Sequence, residues 1–280
     1  MSLGIFLAVL CGAVFHAVWN AIIKGGKEKL FEAVMKTMGG GLGVACILPF
    51  LPAPARESWP YLACSCCIHI FYYSFLSLTY KYTDMSYGYT IMRGSAPLLT
   101  STMLVFVFGI GLGWGWTGVL LLSSGILTLG VDAALRGSFS VRGTLMALAN
   151  AVVVMGYTLA DGFGAKASGA PVSYVCWLFF FNAFPMTIIV NARYGQRFRD
   201  YVRSRWKFGL LGGMCSLASY GVTVWAMGYA PIATVAALRE TSVVFGLLLA
   251  VLFLKEKVTA LRVAGIGLVA VGSVCLKVFG

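Results

Sequence analysis

Two ionisable side chains interrupt an apolar stretch near the carboxyl end of the chain. Arg239 and Glu240 lie at the start of residues 236–254, AALRETSVVFGLLLAVLFL. A helix of ~20 such residues is long enough to cross a hydrocarbon core of ~30 Å. If the span begins at Pro231, both side chains lie about 12 Å along the helix axis, near the middle of the bilayer. A charge there costs about 3 kcal/mol on insertion scales and usually faces a bundle interior or a wet cavity. The two residues therefore predict a buried polar site inside a membrane.

A second arginine lies at an equivalent place in the first half of the chain. When residues 89–108, YTIMRGSAPLLTSTMLVFVF, are aligned with residues 235–254, Arg93 falls on Arg239, 146 positions later. Four further pairs lie 147 positions apart: Trp59 and Trp206, Tyr73 and Tyr220, Gly118 and Gly265, and Gly125 and Gly272. The chain is therefore predicted to hold two copies of one unit, 1–137 and 138–280. Internal repeats of this kind are common in transporters, where the substrate binds between the copies.

The two arginines could approach one cavity at the middle of the membrane. They outnumber the one carboxylate near them in sequence, Glu240. This surplus would suit a substrate with a carboxylate, phosphate or phosphonate, because Arg binds such groups through paired hydrogen bonds. Alternatively, each arginine could cap carbonyls or pair with a carboxylate and so lock helices together.

Glu240 is the first candidate for a proton-coupling group, since it is a carboxylate deep in a predicted span. His16 is the second, because imidazole titrates near neutral pH. Pairing of Glu240 with an arginine would hold it ionised and would argue against that role. Pro97, with Gly94 before it, is expected to kink the fourth helix and could act as a gate, or could only shape packing.

Polar and aromatic residues fall on single faces of several predicted helices. His16, Trp19 and Asn20 share a face at spacings i, i+3 and i+4, where they could line a wet cavity or form an interhelical hydrogen-bond cluster. Asp161 lies at the predicted end of the sixth span and is interpreted as structural. Trp177 could equally face lipid. The candidate substrate-binding residues are His16, Trp19, Asn20, Tyr72, Tyr73, Tyr89, Arg93, Tyr157, Trp177, Tyr220 and Arg239.

The composition places all of these residues in a membrane protein. The chain is 60% hydrophobic and 11% charged, with a mean hydropathy of +0.88, whereas soluble domains are about 25% charged. We expect an all-α integral membrane fold of ten transmembrane helices, arranged as two inverted five-helix repeats around a central cavity. The ten apolar segments are 3–23, 31–50, 59–80, 85–108, 115–132, 143–161, 172–192, 207–229, 231–254 and 261–278.

Other features of the sequence call for no nucleic acid, metal or cofactor. The one long loop, Asn191–Trp206, interleaves arginines with aromatic residues and could grip RNA, but a loop lying on anionic headgroups is the preferred interpretation. The eight cysteines all fall in apolar runs and are interpreted as small hydrophobic residues. Glycines at 39–43, at 118 and 125, and at 265 and 272 predict close-packed helix surfaces.

The distribution of basic residues predicts the orientation of the chain. With ten spans, 16 of the 21 Lys and Arg residues fall on the face of loops 1–2, 3–4, 5–6, 7–8 and 9–10, when Lys36 is counted with the first loop. Arg56, Lys166 and Lys277 fall on the other face. This bias predicts that the basic face is cytoplasmic and that both termini are outside. Because each half has five spans, the halves would be inverted relative to one another.

The chain resembles the EamA branch of the drug/metabolite transporter superfamily. The resemblance rests on MRGSAPLL and LRETSVVF at equivalent places, on LFLKEKVT closing the ninth span, and on the glycine-spaced fifth and tenth spans. It implies ten helices around a central cavity lined by spans 1–4 and 6–9. Val243 stands where the repeat of Pro97 would be, and the acidic residue often found after the fourth span is missing.

The expected function is secondary transport, with export as the direction, of a small anionic or zwitterionic organic metabolite such as an amino acid or phosphonate-type compound. The expected protein is a monomer in a bacterial cytoplasmic (inner) membrane, with protons as a candidate coupling ion. An integral membrane enzyme or lipid-handling protein with a buried polar pocket is the alternative. It is disfavoured because neither of the two His residues lies near a carboxylate in sequence and no catalytic triad is apparent.

Overall fold

The computed structural model describes residues 1–246, 248 and 259–280, without the side chains of residues 24, 77, 85 and 86. Within these ranges the chain is helical and contains no β-strand. The helices are α1 (Leu3–Gly25), α2 (Lys29–Ala45), α3 (Trp59–Tyr82), α4 (Met85–Phe106), α5 (Gly115–Ala133), α6 (Val141–Ala167), α7 (Pro171–Asn182), α8 (Pro185–Tyr229), α9 (Ile232–Arg239) and α10 (Ala260–Phe279). The predicted LFLKEKVT end of the ninth span lies, apart from its last residue, outside the described residues.

Hydroxyl residues and prolines set the starts of several helices. The side chains of Ser2, Ser140 and Thr259 accept hydrogen bonds from backbone N–H groups in the first turns of α1, α6 and α10. Such caps satisfy N–H groups that have no partner inside the helix. Pro171 and Pro185 occupy the first turns of α7 and α8, where the missing N–H of proline costs nothing.

Six segments of the described chain are long and apolar enough to cross a membrane, so the expected count of ten is not confirmed. They are Leu3–Ile23, Arg56–Tyr82, Gly115–Ser138, Val141–Ala167, Pro171–Tyr229 and Ala260–Phe279. Three of the remaining predicted spans fall short for local reasons: α2 has only 17 residues, α4 contains many polar side chains, and the ninth lies partly outside the described residues. The seventh and eighth fall together in the 59-residue segment that begins at Pro171.

The predicted loop Asn191–Trp206 is wrong, because these residues are helical within α8. Only Gly195 departs from helical geometry, with φ 49° and ψ −120°. Arg and Gln favour helix, and glycine reaches a positive φ without steric cost. The predicted seventh span is also divided, since α7 ends at Asn182 and a new helix begins at Pro185.

The arginine-rich part of α8 is tied to α2 by a buried carboxylate. Glu32 accepts hydrogen bonds from Nε of Arg205 at 2.5 Å and from the hydroxyl of Tyr201 at 2.8 Å. Glu28 pairs with Arg197 beside it. The basic segment therefore packs on the first half of the chain through specific contacts.

The hydrogen bond between Glu32 and Arg205 should stabilise the packing of α8 on α2. Replacement Glu32→Gln should lower the unfolding midpoint of the detergent-solubilised protein by several degrees, because Arg205 would lose its charge partner and a charged hydrogen bond is worth about 1.5–3 kcal/mol. Asp200→Asn is the matched control, since Asp200 pairs with Arg203 at 3.6 Å on an exposed part of α8, the helix that also carries Arg205. Such exposed pairs contribute about 0–1 kcal/mol. Equal midpoints for the two variants would contradict the prediction.

Glycines bring two pairs of helices into backbone contact, as the sequence predicted. In the α2–α8 pair, a Cβ added at Gly39 would meet the backbone of Gly209, and one added at Gly213 would meet the backbone of residues 39 and 40. In the α5–α10 pair, the Cβ position of Gly125 lies 2.6 Å from the carbonyl oxygen of Gly265. Both contacts leave no room for a side chain.

The α5–α10 contact also gives the relative direction of these helices. Gly118 lies opposite Gly272, and Gly125 lies opposite Gly265. Residue numbers rise along one helix as they fall along the other, so α5 and α10 run antiparallel.

The remaining helices enclose a polar centre. Helix α1 packs against α8, α3 against α6, and α4 against both α5 and α6. Large apolar side chains such as Leu7, Phe71, Leu120 and Val271 are exposed on the outside. Lipid tails would solvate such a surface as well as a protein core does.

Candidate functional site

One buried carboxylate holds both predicted arginines. Oε1 of Glu240 accepts hydrogen bonds from Nη1 of Arg93 at 3.1 Å and from Nε and Nη2 of Arg239 at 3.1 and 2.9 Å. The Glu240 side chain is 1% exposed. Its second oxygen, Oε2, has no hydrogen-bond partner among the described residues. The two arginines thus meet at one place, and each pairs with a carboxylate, as the helix-locking interpretation expected. Their role in binding substrate stays a prediction.

An interruption of the ninth helix brings Glu240 to this place. Helix α9 ends at Arg239, the chain makes a turn at Glu240 and Thr241, and residues 242–246 are helical again. The backbone N–H of Glu240 donates to the carbonyl of Ala237 at 3.0 Å, which tightens the end of α9. The charged residues therefore lie at a break between two helical segments.

A hydrogen-bond network joins this cluster to α1 and α4. Nε2 of His16 lies 2.7 Å from Nη2 of Arg93 and 3.0 Å from the hydroxyl of Tyr89. Asn20 donates to the same Tyr89 hydroxyl at 3.2 Å and to the carbonyl of His16 at 2.9 Å. Because a guanidinium can only donate, Nε2 of His16 must accept and carries no proton. Protonation of His16 would break this hydrogen bond to Arg93.

Most of the predicted binding residues line a single cavity of about 60 Å³. His69 stacks on Tyr157 at a centroid distance of 4.5 Å on its wall. Tyr73 with Tyr220 and Arg93 with Arg239, the pairs predicted to be equivalent in the two repeats, lie around the same space. The lining residues are His16, Trp19, Lys36, Thr37, His69, Tyr72, Tyr73, Arg93, Tyr157, Phe179, Asn182, Ser216, Tyr220 and Arg239.

A wider vestibule of about 260 Å³ adjoins the cavity. The two spaces share Trp19, Tyr72 and Tyr73, which therefore form a partition between them. The predicted residues Asn20 and Tyr89 line the vestibule. Its other lining residues are Ile23, Lys29, Leu30, Ala33, Leu76, Tyr80 and Lys81.

Three predicted residues lie away from both spaces. Trp177 packs against Trp59 and Phe181, with ring centroids 5.7 and 5.5 Å apart. Gly94 lies against the side chain of Leu127 of α5, and α4 continues through Pro97 without a break. The hinge role of Gly94 and Pro97 stays a prediction.

Asp161 is placed differently from the expectation. We expected it at the solvated end of the sixth span, but α6 continues to Ala167 and Asp161 is fully buried. Its carboxylate accepts hydrogen bonds from the hydroxyls of Tyr174, at 3.2 Å, and Tyr220. It thus joins α6, α7 and α8 beside the cavity, which agrees with its structural interpretation.

Lys36 is the main residue that sequence reasoning missed. It was counted with the basic residues of the first loop, although it falls inside the predicted second span at 31–50. In the structure it lies in α2 and lines the cavity. A charged residue within an apolar span was the signal that identified Arg93, and it would have identified Lys36 too. Thr37 and Phe179 gave no such signal.

Comparison with known proteins gives a family and a fold. The model of the EamA-like transporter family matches residues 141–278. A solved crystal structure, titled only as that of a protein, superimposes with a TM-score of 0.75 and covers 98% of this chain and 95% of its own. The two sequences are 20% identical, so this likeness concerns the fold alone. No curated protein matches the sequence.

Proposed function

Through residues 141–278 this chain belongs to the EamA-like transporter family, and from that premise we propose that it is a secondary transporter of a small organic metabolite. Membership confirms the resemblance stated from the sequence and assigns the chain to a family of membrane transporters. The proposal adds alternating access between two inverted halves, an anionic or zwitterionic substrate, and export as the direction.

The inverted relation of the halves is supported by the α5–α10 contact. Gly118 and Gly265 are predicted to be equivalent in the two repeats, as are Gly125 and Gly272. Gly118 lies opposite Gly272, and Gly125 lies opposite Gly265. Such reciprocal contacts are expected of two copies related by a two-fold axis. Because the equivalent helices run antiparallel, this axis would invert one half relative to the other.

The observation that carries the proposal is the meeting of Arg93 and Arg239 on Glu240. Each repeat contributes one arginine, and both arginines line the same cavity. A broken helix with charged residues at the break is typical of transporter binding sites near the bilayer midplane. The halves can rock around such a site while its ends open in turn.

Proton coupling is less well supported at Glu240 than the sequence indicated. Two guanidinium groups of the protein already bind its carboxylate. The proposed location in a bacterial inner membrane, with both termini outside, rests on the distribution of basic residues. This argument assumes the ten predicted spans; without Lys36, 15 of the 21 Lys and Arg residues still fall on that face.

The test of this function is transport by arginine variants. We expect Arg93→Gln and Arg239→Gln each to reduce counterflow of a labelled substrate in liposomes at least ~100-fold, because each removes one of the charges that both repeats place at the cavity. The fold should survive, since Glu240 keeps one guanidinium partner in either variant. A panel of labelled carboxylates, amino acids and phosphonates identifies the substrate first.

The control for this test is an arginine outside the cavity. Arg203 is exposed, and within the described part of the chain its one ion pair is the long contact with Asp200 at 3.6 Å, so Arg203→Gln should transport normally. Normal transport by Arg93→Gln or Arg239→Gln would rule out their role at the substrate site. Absence of saturable counterflow for every compound in the panel would count against transport itself.

A further inference from the structure

Lys36 is the one basic side chain lining the cavity that the described residues leave without a polar partner. Its Nζ lies 4.6 Å from the ring centroid of Trp19 and 5.8 Å from that of Tyr73. Within the described part of the chain, it makes neither a hydrogen bond nor an ion pair. Ring faces attract the ammonium, but they leave its three N–H donors free for another acceptor.

The two arginines are held by groups of the protein itself. Arg93 directs one terminal nitrogen at Glu240 and the other at His16. Arg239 binds Glu240 through Nε and Nη2. An incoming anion would have to break these bonds to reach either guanidinium fully, whereas Lys36 has no such bond to lose.

The charge balance around the cavity favours a ligand with one negative charge. Three cationic residues line the cavity, and Glu240 offsets one of them. Asp161 lies beside the cavity, bonded to two tyrosine hydroxyls. When it is also counted as ionised, one positive charge remains.

The aromatic residues argue against a cationic ligand. Tyrosine and tryptophan faces commonly bind ammonium groups, but here the protein's own cations already cover several of them. Lys36 lies over Trp19, Arg93 over Tyr89 and Arg239 over Tyr220. A cation brought to these rings would approach three positive side chains.

We propose that Lys36 binds the anionic group of the substrate, and that the substrate is a monoanion with a small, flat apolar body. This assignment rests on the proposed transport function and names the substrate class of that site. The body would pack against the partition of Trp19, Tyr72 and Tyr73. The cavity and the vestibule each fall below the ~300 Å³ at which small-molecule pockets usually begin, so a compact ring fits better than a larger molecule.

The test measures binding of four probes to the purified full-length protein in detergent. The probes are benzoate, benzyl alcohol, benzylammonium and acetate, and the readout is the shift of the thermal unfolding midpoint with probe concentration. Benzoate should raise the midpoint, and the other three should leave it unchanged. In Lys36→Met the apparent affinity for benzoate should fall at least ~10-fold, as expected for loss of one charged hydrogen bond.

Three further variants separate a direct contact from a general effect. Lys36→Arg keeps the charge and should retain part of the benzoate shift. Lys207 is the matched control, because it lies 5.8 Å from the Trp206 ring on an exposed part of α8, and Lys207→Met should bind benzoate like the parent protein. Lys36→Glu should exchange the preference, so that benzylammonium stabilises this variant and benzoate does not.

Each opposite result overturns the assignment. These results are an unchanged benzoate shift in Lys36→Met, stabilisation of the parent protein by benzylammonium, equal shifts with benzyl alcohol and benzoate, or no benzoate shift at all. Binding in detergent does not depend on transport. If benzoate binds through Lys36 but no anion of this class shows counterflow, the transport proposal fails and the binding site stands. If Lys36→Met transports its substrate normally, the binding assignment fails and the transport function stands.

Discussion

Replacement Glu240→Gln is expected to lower the free energy of unfolding by about 3–5 kcal/mol, the usual cost of removing one partner from a buried ion pair. Glu240 is the one carboxylate that the described residues show bound to either Arg93 or Arg239. Its loss would leave two buried guanidinium groups facing each other without a counter-charge. Transport should be lost together with stability.

The measurement is the unfolding midpoint of the detergent-solubilised variant, with Glu57→Gln as control. Glu57 is exposed in the short turn before α3, so its neutralisation should change little. The double variant of Glu240→Gln with Arg93→Gln should be more stable than Glu240→Gln alone, because the net charge of the cluster returns to its original value. If Glu240→Gln and the Glu57→Gln control have the same unfolding midpoint, the cluster does not hold the helices together.

Leucine at Gly272 should separate α5 from α10 and prevent recovery of folded protein. The Cβ position of Gly272 lies 2.6 Å from the backbone nitrogen of Leu122 and 3.0 Å from the carbonyl oxygen of Gly118. Backbone atoms cannot rotate away as a side chain can, so the helices must move apart. Overpacking of this kind costs about 1–3 kcal/mol and occasionally more, and here the added atoms meet backbone along a long antiparallel contact.

A second glycine of the same helix provides the control. The Cβ position of Gly267 has no atom within 4 Å, so Gly267→Leu adds the same side chain to α10 in open space. We expect this variant to elute as a single species from size-exclusion chromatography, with the midpoint of the parent protein. Similar recovery of the Gly272→Leu and Gly267→Leu proteins would show that the α5–α10 contact does not control the fold.

The sequence left open whether the arginines bind substrate or lock helices together, and the contacts of Glu240 bear on this choice. The same carboxylate binds an arginine from each half, so the arginines stabilise the contact between the halves. Lys36 lies in the same cavity without such a contact. In these two proposals the arginines maintain the site and Lys36 binds the ligand. Transport by Arg93→Gln tests the first role, and the affinity of Lys36→Met for benzoate tests the second.

The sequence alone was enough to identify features that depend on order along the chain. Hydropathy identified a membrane protein with several apolar helices, and glycine spacing identified surfaces where helices touch. The equivalence of Arg93 and Arg239 in two repeats stays a prediction. These features follow from the length of a span, the period of a helix and the size of a residue. The loop predicted at 191–206 failed because a charged, arginine-rich helix has the same hydropathy as a loop.

Only the tertiary structure decided which side chains meet. Helical periodicity places residues on one face but does not give the rotation of that face toward the cavity or toward lipid. His16 and Trp177 were both candidates for the site, yet α1 turns His16 toward Arg93 and α7 turns Trp177 toward Trp59. Lys36 enters the cavity because α2 and α8 approach at glycine contacts between residues far apart in the chain. Such approaches depend on the packing of all the helices together, which spacing along a single helix does not contain.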